Sequence, residues 1–280
     1  MRLSDKIKNI SECLKSKSNS PQPMHKNSNS LILMKSFLNK ADSKTPSTGS
    51  TPNANVRQVA DSYAATKGIK LNHNIPVEPI NTERATKIAH AYEAMPHTPN
   101  DPHVKKAYSA LINETKDQFH HIMKNGLKIS KMTPGMPNPY PTSKHMMDDI
   151  QNNNHLWYFP TEAGYGSGET KGHPLETQSV PDHEGKPMLA NDMFRVVHDY
   201  FGHAKEGNGF GPKGEEAAWK HHSQMFSPDA QRALTSETRG QNSWVNFHPS
   251  VAEHNKTNPG QTKFAAQKAG LLPDWAMDQK

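Results

Sequence analysis

The feature that most constrains this chain is the uneven distribution of its residue types: only residues 56–280 have the composition of a folding unit. Residues 1–55 are dominated by Ser, Asn, Lys, Pro and Thr, as in Ser16-Lys17-Ser18-Asn19-Ser20-Pro21 and Ser43-Lys44-Thr45-Pro46-Ser47-Thr48-Gly49-Ser50. Such a segment buries too little apolar surface to offset the entropy of ordering it. It holds nine Lys or Arg against three Asp or Glu, which is the whole net charge of +6, so the rest of the chain is electroneutral. We therefore expect a disordered basic arm over 1–55, with short amphipathic pieces at 3–14 and 31–38, joined to one domain over 56–280.

That division excludes a uniformly basic nucleic-acid-binding body. Six net charges in the arm predict weak, salt-sensitive contact with nucleic acid or another acidic partner. No apolar run approaches the ~18 residues of a membrane span. Leu31-Ile32-Leu33-Met34 is too short and too far along the chain for the core of a signal peptide. Cys13 is the one cysteine, which removes an internal disulfide and a cysteine metal cluster and fits a cytoplasmic setting. With 17 histidines, any metal falls to imidazole and carboxylate.

Helix punctuation runs through the body. Val56, Val59, Ala60 and Tyr63 have helical spacing. Thr82 is placed to cap a helix carrying Ile88, Ala89, Tyr92 and Met95, ended by Pro96. Asp101 caps the next, with Pro102 in its first turn, a stripe of Val104, Tyr108, Leu111, Ile112, Phe119, Ile122 and Met123, and a stop at Gly126. Residues 142–151 predict a shorter helix, and Leu156-Trp157-Tyr158-Phe159 a buried strand. Gly164, Gly166 and Gly168 suggest a phosphate loop only weakly, because no Lys-Ser and no helix follows. Helices are expected over 190–201, 214–226, 228–246 and 262–269. The expected fold is mainly α, with few short strands.

The densest mixture of polar and apolar residues spans 191–247. His198 and His203 are five apart, which on an unbroken α-helix separates them by 140°. Gly202 makes a shared metal feasible if it ends or bulges the helix and lets the chain swing His203 back. The bare spacing is not diagnostic among so many histidines. Glu215-Glu216 and Glu237 are the candidates for a third ligand. Glu237 follows Ala230, Ala233 and Leu234, points inward, and is the preferred one, with Arg239 as its salt partner in the competing reading. Two histidines and a carboxylate leave coordination positions open, which suits Fe(II) in a facial triad or Zn(II) in a hydrolytic site.

His198-Asp199-Tyr200-Phe201-Gly202-His203 resembles the His-Glu-x-x-Gly-His iron motif of pterin-dependent aromatic amino acid hydroxylases, over about fifty residues. Glu237 matches the ligating glutamate that follows in that family. The resemblance implies a helical catalytic fold with iron held by His198, His203 and Glu237. Asp199 departs from the motif, the proline that follows the second histidine is absent, and no pterin-binding stretch accompanies it, so the expectation covers the metal and not the pterin. The segment 238–244 also resembles uncharacterised domains encoded by bacteriophages, which would put the chain in a host cytoplasm or a virion.

These readings predict an oxygenase-like enzyme with Fe(II), its small-molecule substrate held by Arg239 or Gln241. The alternative enzyme is a Zn(II) hydrolase with Glu215 or Glu216 as general base to an activated water. His221-His222 is placed beside the metal or in a supporting role, and Asp199 is an orienting group or faces solvent. Arg239, Gln241 and Asn242 otherwise cap a helix end. In the contrasting class, the chain is a non-catalytic virion or nucleic-acid-associated protein that works through its arm.

Overall fold

The computed structural model describes residues 50–133, 135–163 and 171–278. The arm over residues 1–49, with its expected partners, and the glycines at 164–168 lie outside the described residues. Residues 50–55, expected in the arm, belong to the folded part: Asn53 is buried and its side chain accepts from the Val56 amide, capping α1 (Ala54–Thr66). The described residues are mainly helical, with two sheets of two short strands each. None of their helices is long and apolar enough to cross a membrane.

The helices form where the apolar spacing and the caps agree. α2 (Thr82–Ala94) is capped by Asn81, one residue before the expected Thr82, and Asn81 accepts from the Arg84 amide. α3 (Pro102–Lys124) takes Asp101 as its cap, through bonds from the His103 and Val104 amides. Its stripe of Val104, Tyr108, Leu111, Ile112, Phe119 and Ile122 is buried, at roughly 1.5–3 kcal/mol for each large side chain. The same face buries two polar residues, Thr115 and Gln118.

β1 (Lys128–Lys131) and β2 (His155–Tyr158) pair in parallel, with α4 (Ser143–Asn153) as the crossover between them. β1 has too little apolar alternation to be read from sequence. After α5 (Pro174–Thr177), β3 (Ser179–Pro181) and β4 (Pro187–Leu189) form an antiparallel pair leading into α6 (Ala190–Val197). α6 is buried on nearly every side and joins two apolar clusters. Met193, Val196 and Val197 pack with α1 and α4, whereas Ala190 and Phe194 pack with α3 and Trp219.

α6 continues without a break into a π-helical turn, His198–Ala204. α7 (Pro212–Ser223) packs against that turn. The helix expected over 228–246 is α8 (Pro228–Thr235), a second π-turn (Ser236–Gly240) and α9 (Gln241–Phe247), followed by α10 (Ala252–Thr257).

The helix expected over 262–269 is absent: the segment is irregular. Tertiary bonds take its backbone groups instead. Ala266 O accepts from the Tyr92 hydroxyl, Ala269 O accepts from the Thr98 amide, and the Ala269 amide donates to His97 Nδ1. Phe264, Ala265 and Leu272 are buried with α2 and α9, so this segment closes the third cluster.

Candidate metal centre

The first π-turn solves the spacing problem of the two histidines. Its bonds run from i to i+5, as in Lys205 N to Tyr200 O at 3.0 Å, so the fifth residue returns nearly above the first. His198 and His203 therefore share a face, with ring centroids 5.0 Å apart at 89°. The helix bulges at Gly202, one of the two expected alternatives, without ending there. Gly202 is not among the glycines of positive φ, and the helix does not reverse there. What matters is its missing side chain: a Cβ would lie 3.0 Å from His198 Nδ1 and 3.1 Å from Cε1.

The third group is Glu215, in the first turn of α7, where the helix N-terminus favours a carboxylate. Its Oε2 is 3.4 Å from His203 Nε2 and 3.7 Å from His198 Nε2. All three ligating atoms lie within 4.8 Å of one another. Bonds of ~2.0–2.2 Å to one ion would set such atoms roughly 3–3.5 Å apart, so the donor set fits a single cation after a slight contraction. The loop before α7 makes this possible. The Asn208 amide donates to His203 O (2.9 Å), and its side-chain nitrogen donates to Gly202 O (2.8 Å), folding the chain back over the turn. Gly214 lets the loop and α7 touch, since a Cβ there would fall 1.9 Å from Gly209 O.

Supporting contacts orient both imidazoles. His203 Nδ1 lies 3.2 Å from Asn208 O, which turns Nε2 toward Glu215. His198 Nδ1 lies 3.2 Å from His222 Nδ1, so His222 supports the site rather than joining the ligand set. His221 faces Asn208 instead. His203 is buried, whereas the side chains of His198 and Glu215 keep 12% and 14% exposure along a cavity. Burial disfavours both charged forms, but the attraction between Glu215 and the two histidines outweighs it. It lifts His203 to about 9 and lowers Glu215 to about 2. Asp199 also lines the cavity, and burial raises its carboxyl against the pull of His203 and His198.

The structure does not bring Glu237 into this group. It does point inward, as expected, but toward a different part of the cavity wall, where other donors claim its oxygens. The Tyr108 hydroxyl donates to Oε1, His173 Nε2 sits 3.2 Å from the same oxygen, and Gln241 donates to Oε2 at 3.0 Å. Burial lowers the His173 pKa, yet Glu237 overrides it and the net shift is upward. Helical periodicity put Glu237 inward without saying which inward neighbour waits there; it is Glu215 that stands beside the histidines.

The other expected site residues divide between the cavity and the scaffold. Gln241 and Asn242 line the cavity, with Phe159, Phe194, Phe210 and Phe264 as apolar wall. Glu216 and Arg239 do not. Arg239 forks onto Glu216 through Nε (2.9 Å) and Nη2 (2.6 Å), stacks over Trp219, and donates to the carbonyls of Ala276 and Asp278. It ties the end of the chain to α7, so neither a substrate clamp nor a salt partner for Glu237 describes it. Of the two residues expected as a general base, Glu215 stands against both histidines and Glu216 in this fork.

The sequence reading missed Gln118, His173 and Asn208. Gln118 left a signal, a polar residue in the buried stripe of α3; the other two left none. No family model, curated protein or solved structure matches this chain.

Proposed function

We propose that the protein is a metal-dependent enzyme with a mononuclear centre formed by His198, His203 and Glu215. The observation that carries this reading is the convergence of three ligating atoms, two of them on one π-turn, at the wall of a cavity. Single π-turns inside α-helices are frequent at functional sites. Two imidazoles and a carboxylate on one side leave the cavity side for substrate, the arrangement of non-haem iron oxygenases, so Fe(II) is the first expectation and Zn(II) the second. When bound, the metal supplies a Lewis acid and, as iron, redox chemistry with O₂.

The residues of this chain do the rest. Asn208 O and His222 hold the imidazoles by their outer nitrogens. Phe159, Phe194, Phe210 and Phe264 give the cavity an apolar wall, and Gln241 and Asn242 offer polar contacts to a small substrate.

The test is metal analysis of the purified full chain after anaerobic loading with Fe(II) or Zn(II). About one equivalent is expected, lost in His198→Ala and Glu215→Ala but retained in Glu237→Ala. Loss in Glu237→Ala with retention in Glu215→Ala would reverse the ligand assignment. Wild-type protein that retains neither metal overturns the reading.

A further inference from the structure

The outer nitrogen of His198 faces another imidazole, His222, at 3.2 Å. Two ring nitrogens at that distance need one proton between them: one donates, the other accepts. The choice is made further inside the protein. Gln118, on α3, donates from Nε2 to the carbonyl of Met225 (3.2 Å). An amide whose nitrogen is committed to a carbonyl presents its oxygen on the other side. Here Oε1 is 3.0 Å from His222 Nε2. An amide oxygen only accepts, so His222 carries its proton on Nε2 and a lone pair on Nδ1. That lone pair accepts from Nδ1–H of His198, leaving Nε2 of His198 as the atom that faces Glu215 and is available to a metal.

We infer that Gln118 and His222 form a buried relay that fixes the tautomer of His198 and makes Nε2 its ligating atom. Both residues are fully buried, so solvent does not substitute for either partner. They are positioning residues, acting through His198. The inference rests on the metal centre proposed above for its purpose, but the proton placement on His222 stands on its own geometry. The two histidines are also held differently. His203 is oriented by a backbone carbonyl that no side-chain substitution removes, whereas His198 depends on one amide side chain. Outer-shell partners of this kind typically control metal affinity by 10–100-fold.

The test uses the full chain with ¹⁵N-labelled histidine, assigned with His222→Phe and His198→Ala. Long-range ¹⁵N–¹H correlations are recorded metal-free and with Zn(II), and the Zn(II) Kd is measured by competition with a chromophoric chelator. The metal-free wild type should show His222 as the Nε2–H tautomer, and the Zn(II) form should show His198 protonated at Nδ1. Gln118→Met should weaken Zn(II) binding roughly 10–100-fold. Gln118→Glu, which keeps an acceptor at the same place, should bind at least as tightly as wild type. His222 protonated at Nδ1, or Gln118→Met binding with wild-type affinity, overturns the relay. If Gln118→Met does not fold, Gln118→Glu decides: binding tenfold weaker than wild type overturns it. Wild-type protein that shows the expected His222 tautomer yet binds no Zn(II) refutes the metal centre and leaves the relay standing.

Discussion

Gly202→Ala separates the stability of the π-turn from the geometry of the site it carries. The added Cβ would stand 3.0 Å from His198 Nδ1, 3.1 Å from Cε1 and 3.4 Å from Ala218 Cβ. Ordinary contacts of this kind fall at ~3.5–4.0 Å, so the imidazole must retreat by roughly 0.5 Å. Nδ1 is also the atom held 3.2 Å from His222, so the retreat strains that contact as well as shifting Nε2. Against this, alanine in a helix interior gains up to about 1 kcal/mol over glycine. The two effects act on different observables. Overall stability should stay within about 1 kcal/mol of wild type, a change in Tm of no more than roughly 4 °C. Metal affinity should fall roughly 10–100-fold, as when an orienting contact is lost. Thermal unfolding of the metal-free protein and chelator competition read the two independently. Wild-type affinity in Gly202→Ala would refute the argument that the missing side chain exists to seat His198. A Tm lowered by more than about 10 °C would show instead that the glycine serves the fold.

Three further predictions concern stability. Arg239→Met removes the buried partner of Glu216 and two anchors of the chain end, and should cost about 3–5 kcal/mol in chemical denaturation. Metal affinity should be unchanged, and a loss of affinity as large as in Glu215→Ala would place Arg239 in the site after all. In metal-free protein the raised pKa of His203 contributes stability that is complete below pH 6.5 and is lost as pH rises toward 9. Burial lowers His221 to about 4, against a pull from Glu206, so its contribution is present above pH 6.5 and lost as pH falls through 4. Between pH 4 and 8, thermal melts should therefore peak near pH 6.5, and a Tm rising steadily from pH 6.5 to 8 would contradict the His203–Glu215 pairing. Lys205 is fully buried with its ammonium on His221 O and the Met225 sulfur, and burial lowers it to about 8. Its contribution is complete only above pH 10.5 and lost as pH falls through 8, a penalty at pH 7 of at most about 3 kcal/mol. Lys205→Met should raise Tm at pH 7 and remove the gain between pH 8 and 10; a lowered Tm would mean that the ammonium is needed.

The helices were legible where one local signal sufficed. Asp101-Pro102 and the stripe from Val104 to Ile122 define α3, and Ser227-Pro228 defines the start of α8, because a cap and a 3.6-residue period are both written within a few residues. The expected helix at 262–269 failed on the same kind of signal, since its backbone groups are satisfied by Tyr92, His97 and Thr98, which are distant in sequence. β1 was illegible because four residues carry almost no period.

For the site, the sequence by itself determined the pair: His198 and His203, with Gly202 between them, on a helix that had to bulge for the two rings to meet. It also limited the third group to a carboxylate or another imidazole, because the chain has one cysteine, far from the motif. Only the tertiary structure shows which carboxylate stands beside the two histidines. Glu215 and Glu237 are both inward-facing residues of helices after the motif, and no local rule ranks them. The fold of the loop at 205–211, clasped by Asn208, brings the start of α7 to the histidines, while Tyr108 and His173 hold Glu237 elsewhere on the cavity wall. Which carboxylate stands there depends on which helix end meets the π-turn, and that is a property of packing between distant segments.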